Sequence, residues 1–312
     1  MIFRNLPPSK SGPFTSARRK RTPKQCISHC LVAFLLMGTA GAETAVFQNG
    51  IADPFSGLTY FGTEDTTLTA DYFYPPPGFG DPIFGGTNNS GPGIQLGAGH
   101  ENAGNRTHRI LIRFDLSSMA GRFLSIDRVA LRMYAAQGVI SRTISAYRVS
   151  TANSDWVEGN GPLDSGFGPG DIGSSTWQFK IQGTTPGTGI PWASGELPGP
   201  QRGLGTAGVD YFAAPIGTIT TPPYPDHFSD FVFNDVSFIN DWVSGMNGGV
   251  LLRQNDETSD GLFGFPSSES ASASFRPELI VTYTPTPEPS VAFSLCSAIS
   301  IALIARPRHR AT

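Results

Sequence analysis

The chain alternates apolar and polar positions with a period of two in several separate segments. The apolar positions that share one face are Ile110, Ile112, Phe114 and Leu116 in the first segment, Val129, Leu131 and Met133 in the second, and Leu279, Val281 and Tyr283 in the third. Period two with one polar face is typical of half-buried antiparallel strands. Because Gly, Pro, Asn and Ser separate the segments, the pattern predicts an all-β fold, an antiparallel β-sandwich or jelly roll.

One segment has helical spacing instead. Its apolar residues, Val236, Ile239 and Val243, recur at intervals of three and four. An Asn or Asp side chain at its start can cap a helix, and Gly245 can end one. We therefore expect one short helix over 235–245, crossing one end of the sandwich.

Composition strengthens the β prediction. The 312 residues include 37 Gly and 26 Pro, and only 15% of them are charged. This excludes coiled coils, helical bundles and helical solenoids, while 39% hydrophobic residues are enough to build a core. The segment from about 159 to 230 is rich in Gly, Pro and Thr and predicts a loop-rich insertion with short strands, 176–181 among them. We expect one folded domain over 64–284, after a lead-in over 43–63.

The formal net charge of −3 conceals an uneven distribution. Residues 1–42 carry seven basic side chains and no acidic one, and three arginines stand near the C-terminus. Between them, residues 43–285 carry 12 basic and 24 acidic side chains, a net charge of −12. Binding of nucleic acid needs clustered Lys and Arg on the folded part, so no nucleic-acid partner is expected.

The basic N-terminus leads into a short apolar segment, as in a secretory signal peptide. Small residues follow, and Ala40 and Ala42 match an A-x-A-like cleavage site. The segment has only seven strongly apolar residues, whereas a spanning helix needs ~20, so cleavage by signal peptidase is favoured over a retained signal anchor. We expect residues 1–42 to be removed and the protein to be exported. Cysteine occurs only outside the expected body, at Cys26, Cys30 and Cys296.

The C-terminal stretch combines three features in order. They are the motif Pro287, Glu288 and Pro289, an uncharged apolar run over 291–305, and a basic cluster of Arg306, Arg308 and Arg310. This arrangement resembles the PEP-CTERM sorting signal of Gram-negative bacteria, which is recognised by exosortase, an integral-membrane cysteine protease. The resemblance implies that 285–312 is a sorting segment with a hydrophobic transmembrane helix, held in the inner membrane before the protein reaches the cell surface or extracellular matrix. The alternative is a plain tail anchor with an incidental Pro-Glu-Pro.

Several motifs of the body stand in an order typical of one family. They are Asp65-Thr-Thr-Leu68, Arg109-Ile-Leu-Ile-Arg-Phe-Asp-Leu-Ser117, Val129-Ala-Leu-Arg-Met-Tyr134, Asp155-Trp-Val-Glu-Gly159, Asp241-Trp-Val-Ser-Gly245 and Arg276-Pro-Glu-Leu-Ile-Val-Thr-Tyr283. Together they resemble the DNRLRE (disaggregatase-related) domain over about 64–284. The resemblance implies a non-catalytic β-sandwich classed with carbohydrate-binding modules, some members of which bind polysaccharide.

Residues with catalytic or metal-binding spacing are scarce. The body has no nucleophile elbow and no phosphate-binding Gly-rich loop, so no enzyme and no cofactor are expected. His100 and His108 are expected to be solvent-exposed in a Gly/Asn-rich loop, because they lack metal-ligand spacing. Oxygen ligands for Ca²⁺ could come from Asn255, Asp256 and Asp260, but the spacing of a calcium loop is not met, and a solvated acidic loop is favoured.

Aromatic residues beside Pro/Gly-rich loops are candidates for stacking on sugar rings. They are Tyr74, Trp177, Trp192, Tyr211 and Tyr224. Packing over one end of the sandwich is favoured for them over a binding platform. Trp156 and Trp242 lie in two of the family-like motifs given above, and we expect both to be buried.

These features together predict an exported, exosortase-sorted, non-catalytic β-sandwich protein of the cell surface or extracellular matrix. Binding of extracellular polysaccharide is a second, separate hypothesis. Two alternatives remain open. One is a purely structural or adhesive matrix component with no glycan ligand. The other is a polysaccharide-acting enzyme, which would need converging carboxylates in a groove.

Overall fold

A computed structural model describes residues 41–73, 83–89, 95–102, 105–138, 140–159, 168–169, 172–185, 188–195 and 204–287. All of these belong to the second of the two units into which the chain divides, Met1–Ala40 and Gly41–Thr312. Several predicted site residues lie outside the described residues, namely Ala40, Tyr74, Glu288, Pro289, Arg306, Arg308 and Arg310.

The described residues form fifteen strands and one short helix, which confirms the predicted all-β class. The strands are β1 (Glu43–Phe47), β2 (Thr63–Phe73), β3 (Ile83–Asn89), β4 (Gln95–Glu101), β5 (Arg106–Phe114), β6 (Phe123–Ala135), β7 (Thr143–Arg148), β8 (Gly168–Pro169), β9 (Phe179–Gln182), β10 (Gly189–Pro191), β11 (Gly217–Thr220), β12 (His227–Val232), β13 (Val250–Gln254), β14 (Gly261–Pro266) and β15 (Glu278–Pro285). The helix is α1 (Ile239–Val243).

Two antiparallel sheets make up the sandwich. The smaller has four strands in the order β1-β15-β6-β12. The larger has nine strands, seven of them in the order β11-β7-β13-β5-β2-β3-β8. The other two form a hairpin-like extension, because β4 pairs with the first part of β5 and β14 pairs with β4. Strands β9 and β10 form a separate two-stranded sheet.

The main core lies between the two sheets and follows the predicted period of two. Ile110, Ile112 and Phe114 of β5 and the alternate apolar residues of β6 and β15 all belong to it. The aromatic residues Phe47, Phe231 and Phe263 add large side chains from other strands. The predicted inward faces of these three segments are therefore confirmed.

The opposite face of β5 was predicted to be polar, but the structure buries it as well. A second apolar cluster covers this face, and its members are Leu68, Ala70, Leu111, Val149, Trp156, Trp177, Trp192, Leu204, Tyr211 and Leu251. Six of these, from Val149 to Tyr211, come from the chain between β7 and β11, and the last four belong to the loop-rich segment, which therefore folds over the outer side of the larger sheet. The prediction of a half-buried strand is wrong here, because a distant segment supplies the cover.

The helix is shorter than predicted. Asp235 accepts a hydrogen bond from the N–H of Ser237 at 2.9 Å, so its side chain closes a turn instead of capping a helix. The helical residues begin only at Ile239, and Gly245 follows with a positive φ of 93°. Ile239 and Trp242 are buried, as predicted, and the helix packs against the main core.

The predicted insertion over 159–230 contains short strands, as expected, but it ends before β11 instead of at about residue 230. Strands β11 and β12 belong to the main sheets, where β11 pairs with β7 and β12 with β6. No helix in the described part of the chain is long and apolar enough to cross a membrane.

Candidate functional site

Three of the predicted stacking residues are buried. Trp177 is 1% exposed, and Trp192 and Tyr211 are hardly more accessible. The indole N–H of Trp192 donates to the carbonyl of Thr176 at 3.2 Å, and the Tyr211 hydroxyl accepts from Arg253 at 2.7 Å. These rings hold the loop-rich segment on the larger sheet, and burial removes them from the set that a sugar could reach.

Tyr224 is the predicted stacking residue that the structure places in solvent. It is 59% exposed and lies in the turn before β12. Its ring contacts His227 edge to face, with the ring centres 5.7 Å apart. Tyr224 therefore presents an accessible ring beside the smaller sheet.

Further rings that the sequence did not single out lie nearby on β12 and β6. Phe228 is 48% exposed and pairs across the strands with Tyr134. The two ring centres are 5.1 Å apart, and Phe275 stacks on Tyr134 at 4.1 Å. The Tyr134 hydroxyl donates to Asp226, two residues after Tyr224, at 3.0 Å. We call Tyr134, Phe228 and Phe275, together with Tyr224 in the adjoining turn, the aromatic surface. The alternation of β12 was hidden within the Gly/Pro-rich segment, which explains why sequence reasoning missed Phe228.

A charged group continues the same face of the sheet. Arg132 stands two residues before Tyr134, so its side chain points to the same side. It forms a bidentate pair with Asp230 at 2.8 and 3.0 Å and approaches Glu278 at 3.8 Å. The outer face of the smaller sheet thus combines accessible rings with hydrogen-bonding groups.

The three candidate calcium ligands lie in one loop between β13 and β14. Asn255, Asp256 and Asp260 are exposed. The carboxylate of Asp256 accepts hydrogen bonds from Ser259 and Thr258, which lower its pKa to about 2. Asp260 accepts from the N–H of Asn102 at 2.9 Å. Asp256 thus bonds within the loop, and Asp260 joins the loop to the end of β4.

The two histidines were predicted to be exposed in a loop, and this is wrong. His100 lies on β4 and His108 on β5, and both are buried. Gly99 allows β4 to pair closely with β14, because a Cβ there would lie 2.1 Å from the carbonyl oxygen of Gly261. The glycines that suggested a loop instead permit close strand pairing.

A group of three carboxylates gathers where no sequence spacing predicted one. Asp65 lies on β2, Glu158 ends the stretch after β7, and Glu269 lies in the loop after β14. One oxygen of each lies within 4.8 Å of the others. We call Asp65, Glu158 and Glu269 the carboxylate group.

Hydrogen bonds fix the carboxylate group in place. The N–H of Ser268 donates to Asp65 Oδ2 at 2.7 Å, and the Ser268 hydroxyl donates to Glu269. The N–H of Asp65 donates to Glu158 Oε1 at 3.3 Å. Asp65 precedes the part of β2 that pairs with β3, which begins at Leu68. Three segments are therefore joined through acidic side chains.

The carboxylate group is electrostatically unfavourable when fully ionised. Burial raises the pKa of Asp65 well above its ordinary value, and the charges of Glu269 and Glu158 raise it further. Burial likewise raises the pKa of Glu158 to about 8, and the charge of Glu269 adds to the shift. Such a group either holds protons or neutralises its charge with a cation.

Sequence reasoning missed this group because its members lie about a hundred residues apart. Asp65 and Glu158 do stand in two of the motifs quoted above, Asp65 next to Glu64 and Glu158 three residues after Asp155. In the sheet Asp65 pairs with Ile112 of β5 and so shares its core-facing side. An acidic residue at a core-facing position needs a partner, but the sequence does not say which.

Comparison with known protein families finds no family that matches the chain, and comparison with curated proteins finds no relative.

Proposed function

We propose that this chain is an exported, non-catalytic β-sandwich protein of the cell surface or extracellular matrix that binds polysaccharide on its aromatic surface. The observation that carries the binding proposal is the exposure of Phe228 on the same face of the sheet as the charged pair of Arg132 and Asp230, with Tyr224 exposed in the turn before β12. Apolar rings pack against the C–H faces of sugars, and neighbouring polar groups bind the hydroxyls. The likeness to the DNRLRE domain supports the same ligand class.

The net charge of the body restricts the class of polysaccharide that we propose as the ligand. Residues 43–285 carry a net charge of −12, so polyanions are repelled over most of the surface. We therefore propose a neutral polysaccharide. A purely structural or adhesive role without a glycan ligand is the alternative, and it predicts no specific retention on any polysaccharide.

Export and sorting are proposed from the two ends of the chain. Residues 1–42 have the pattern of a signal peptide, and 285–312 that of a PEP-CTERM segment. The position of the motif supports this, because β15 ends at Pro285 and Pro287 is exposed. An exosortase would thus meet its motif immediately after the folded body.

Affinity electrophoresis of the full chain in gels that contain neutral or acidic polysaccharides tests the binding proposal. We expect retardation by a neutral polysaccharide and its loss in Tyr224→Ala and Phe228→Ala. Phe61→Ala is the matched control, because Phe61 is also an exposed ring but is not part of the aromatic surface. Absence of retardation in every gel, or unchanged retardation of both variants, contradicts the proposal.

Replacement of Pro287, Glu288 and Pro289 by alanine tests sorting. In a host that expresses exosortase, the variant should accumulate in the membrane while the wild-type protein is released. The double variant Ser272→Ala and Ser274→Ala is the control, because both residues lie in an exposed part of the body. Unchanged release of the motif variant contradicts the exosortase proposal.

A further inference from the structure

The carboxylate group has the dimensions of a cation site. Ca²⁺ binds oxygen ligands at about 2.3–2.6 Å, so ligands on opposite sides of one ion lie about 5 Å apart. The oxygens of Asp65, Glu158 and Glu269 lie within 4.8 Å of one another. One ion can therefore contact all three side chains without a rearrangement of the backbone.

A second observation points to a ligand at the same place. Asp65 is 0% exposed, and within the described residues no hydrogen-bond donor reaches its Oδ1 atom. Oε2 of Glu269 is likewise buried without a donor from these residues. A buried carboxylate oxygen without a partner is strongly unfavourable, so these two oxygens indicate a bound positive group.

Arg113 is a positive side chain close to the carboxylate group, and it is already engaged elsewhere. Arg113 lowers the pKa of Glu158, but its guanidinium is ion-paired with Glu64 and donates to the carbonyl of Ser154 at 2.8 Å. Its Cζ atom also lies 4.5 Å from the centre of the Trp156 ring. Arg113 is thus held by three other contacts, and its single charge stands against one buried and two partly buried carboxylates.

We propose that Asp65, Glu158 and Glu269 bind one Ca²⁺ ion. The ligands are all carboxylate oxygens, with no His or Cys in the group, and this donor set favours a hard cation over Zn²⁺ or Cu²⁺. Ca²⁺ is favoured over Mg²⁺ because Mg²⁺ requires near-ideal octahedral geometry and retains its waters. The proposal does not depend on polysaccharide binding.

The ion would join three parts of the fold. Glu158 stands where the predicted loop-rich insertion begins, Asp65 lies on the larger sheet, and Glu269 lies in the loop between β14 and β15. Bound Ca²⁺ would therefore fasten the insertion to the sheet that it covers. Calcium sites of extracellular proteins are commonly filled at the millimolar concentrations found outside cells.

Calorimetric titration and thermal unfolding of the full chain, first freed of metal with a chelator, test the proposal. We expect one Ca²⁺ per chain and a Tm that rises by several degrees at about 1 mM Ca²⁺ and less at the same concentration of Mg²⁺. Absence of binding, or equal shifts with both ions, overturns the assignment of Ca²⁺.

Variants locate the site. Asp65→Asn and Glu269→Gln keep the shape of the side chain and should each weaken Ca²⁺ binding about tenfold or more. Glu269 is partly exposed, so Glu269→Gln provides the test if Asp65→Asn does not fold. Asp256→Asn is the matched control in the exposed acidic loop and should leave Ca²⁺ binding unchanged. Loss of binding in Asp256→Asn alone would place the ion in that loop and overturn the proposal.

Discussion

Arg109 and Trp177 contact each other through the face of the indole ring, with the guanidinium carbon 4.4 Å from the ring centre. Arg109 comes from the supposedly polar face of β5, and Trp177 comes from the loop-rich segment. Glu257 completes the contact, because it accepts two hydrogen bonds from Arg109 at 2.7 Å. A buried cation is thus placed between a ring and a carboxylate, and it links the segment to the sheet.

Glu257→Gln should lower the free energy of unfolding by about 3 kcal/mol, because it leaves the charge of Arg109 buried without its counter-ion. The pairing explains the pKa of Glu257, which burial would raise but which Arg109 and Arg253 hold below its ordinary value. Urea unfolding at neutral pH measures the change. Glu101→Gln is the control, since Glu101 lies 3.9 Å from Arg106 in an exposed pair and should have almost no effect. Equal effects of the two variants would contradict the argument.

Trp177→Ala should separate a structural role from a binding role. Removal of this buried ring should cost about 3–5 kcal/mol of stability, through the cavity and the loss of its contact with Arg109. Polysaccharide retention of the fraction that remains folded should be unchanged. Tyr224→Ala should behave in the opposite way, with little loss of stability and a loss of retention. Retention lost in folded Trp177→Ala would restore Trp177 as a ligand contact.

The inward faces of the strands could be predicted, whereas their outer cover could not. Ile110 and Ile112 reveal a buried face because a period of two is a local property. The cover over Arg109 comes from Trp177 and Leu204, which lie in a segment without periodicity. Local patterns do not encode which distant segment packs on a face. The same limit applies to the carboxylate group, whose members meet only through the fold.

His108 should make the protein sensitive to acid. Burial, followed by the charges of Arg106 and His100, lowers the pKa of His108 from 6.5 to about 3. In the unfolded chain His108 binds a proton below 6.5, and in the folded protein only near 3. The unfolded state therefore binds more protons between these values, and the free energy of unfolding falls as the pH falls through that window.

His108→Gln measures this contribution. Gln retains a group that can bond the Thr69 hydroxyl, which lies 3.1 Å from Nδ1 of His108. Between about pH 7 and about pH 4 the wild-type protein should lose about 3 kcal/mol more stability than the variant. Urea unfolding of both proteins across this range provides the comparison, and parallel curves would show that His108 is not responsible.

Gly249 and Gly121 have nearly the same backbone conformation but different surroundings, which allows conformational strain to be separated from a clash. Their φ angles are +74° and +72°. A Cβ at Gly249 would lie 2.3 Å from the carbonyl oxygen of Ile112, whereas at Gly121 no heavy atom of the described residues lies within 4 Å. In both alanine variants the left-handed conformation should lower the free energy of unfolding by about 1 kcal/mol. Gly249→Ala should cost about 2 kcal/mol more, because the contact forces β13 away from β5. Chemical unfolding of the two variants measures the difference, and equal losses would show that the start of β13 moves freely.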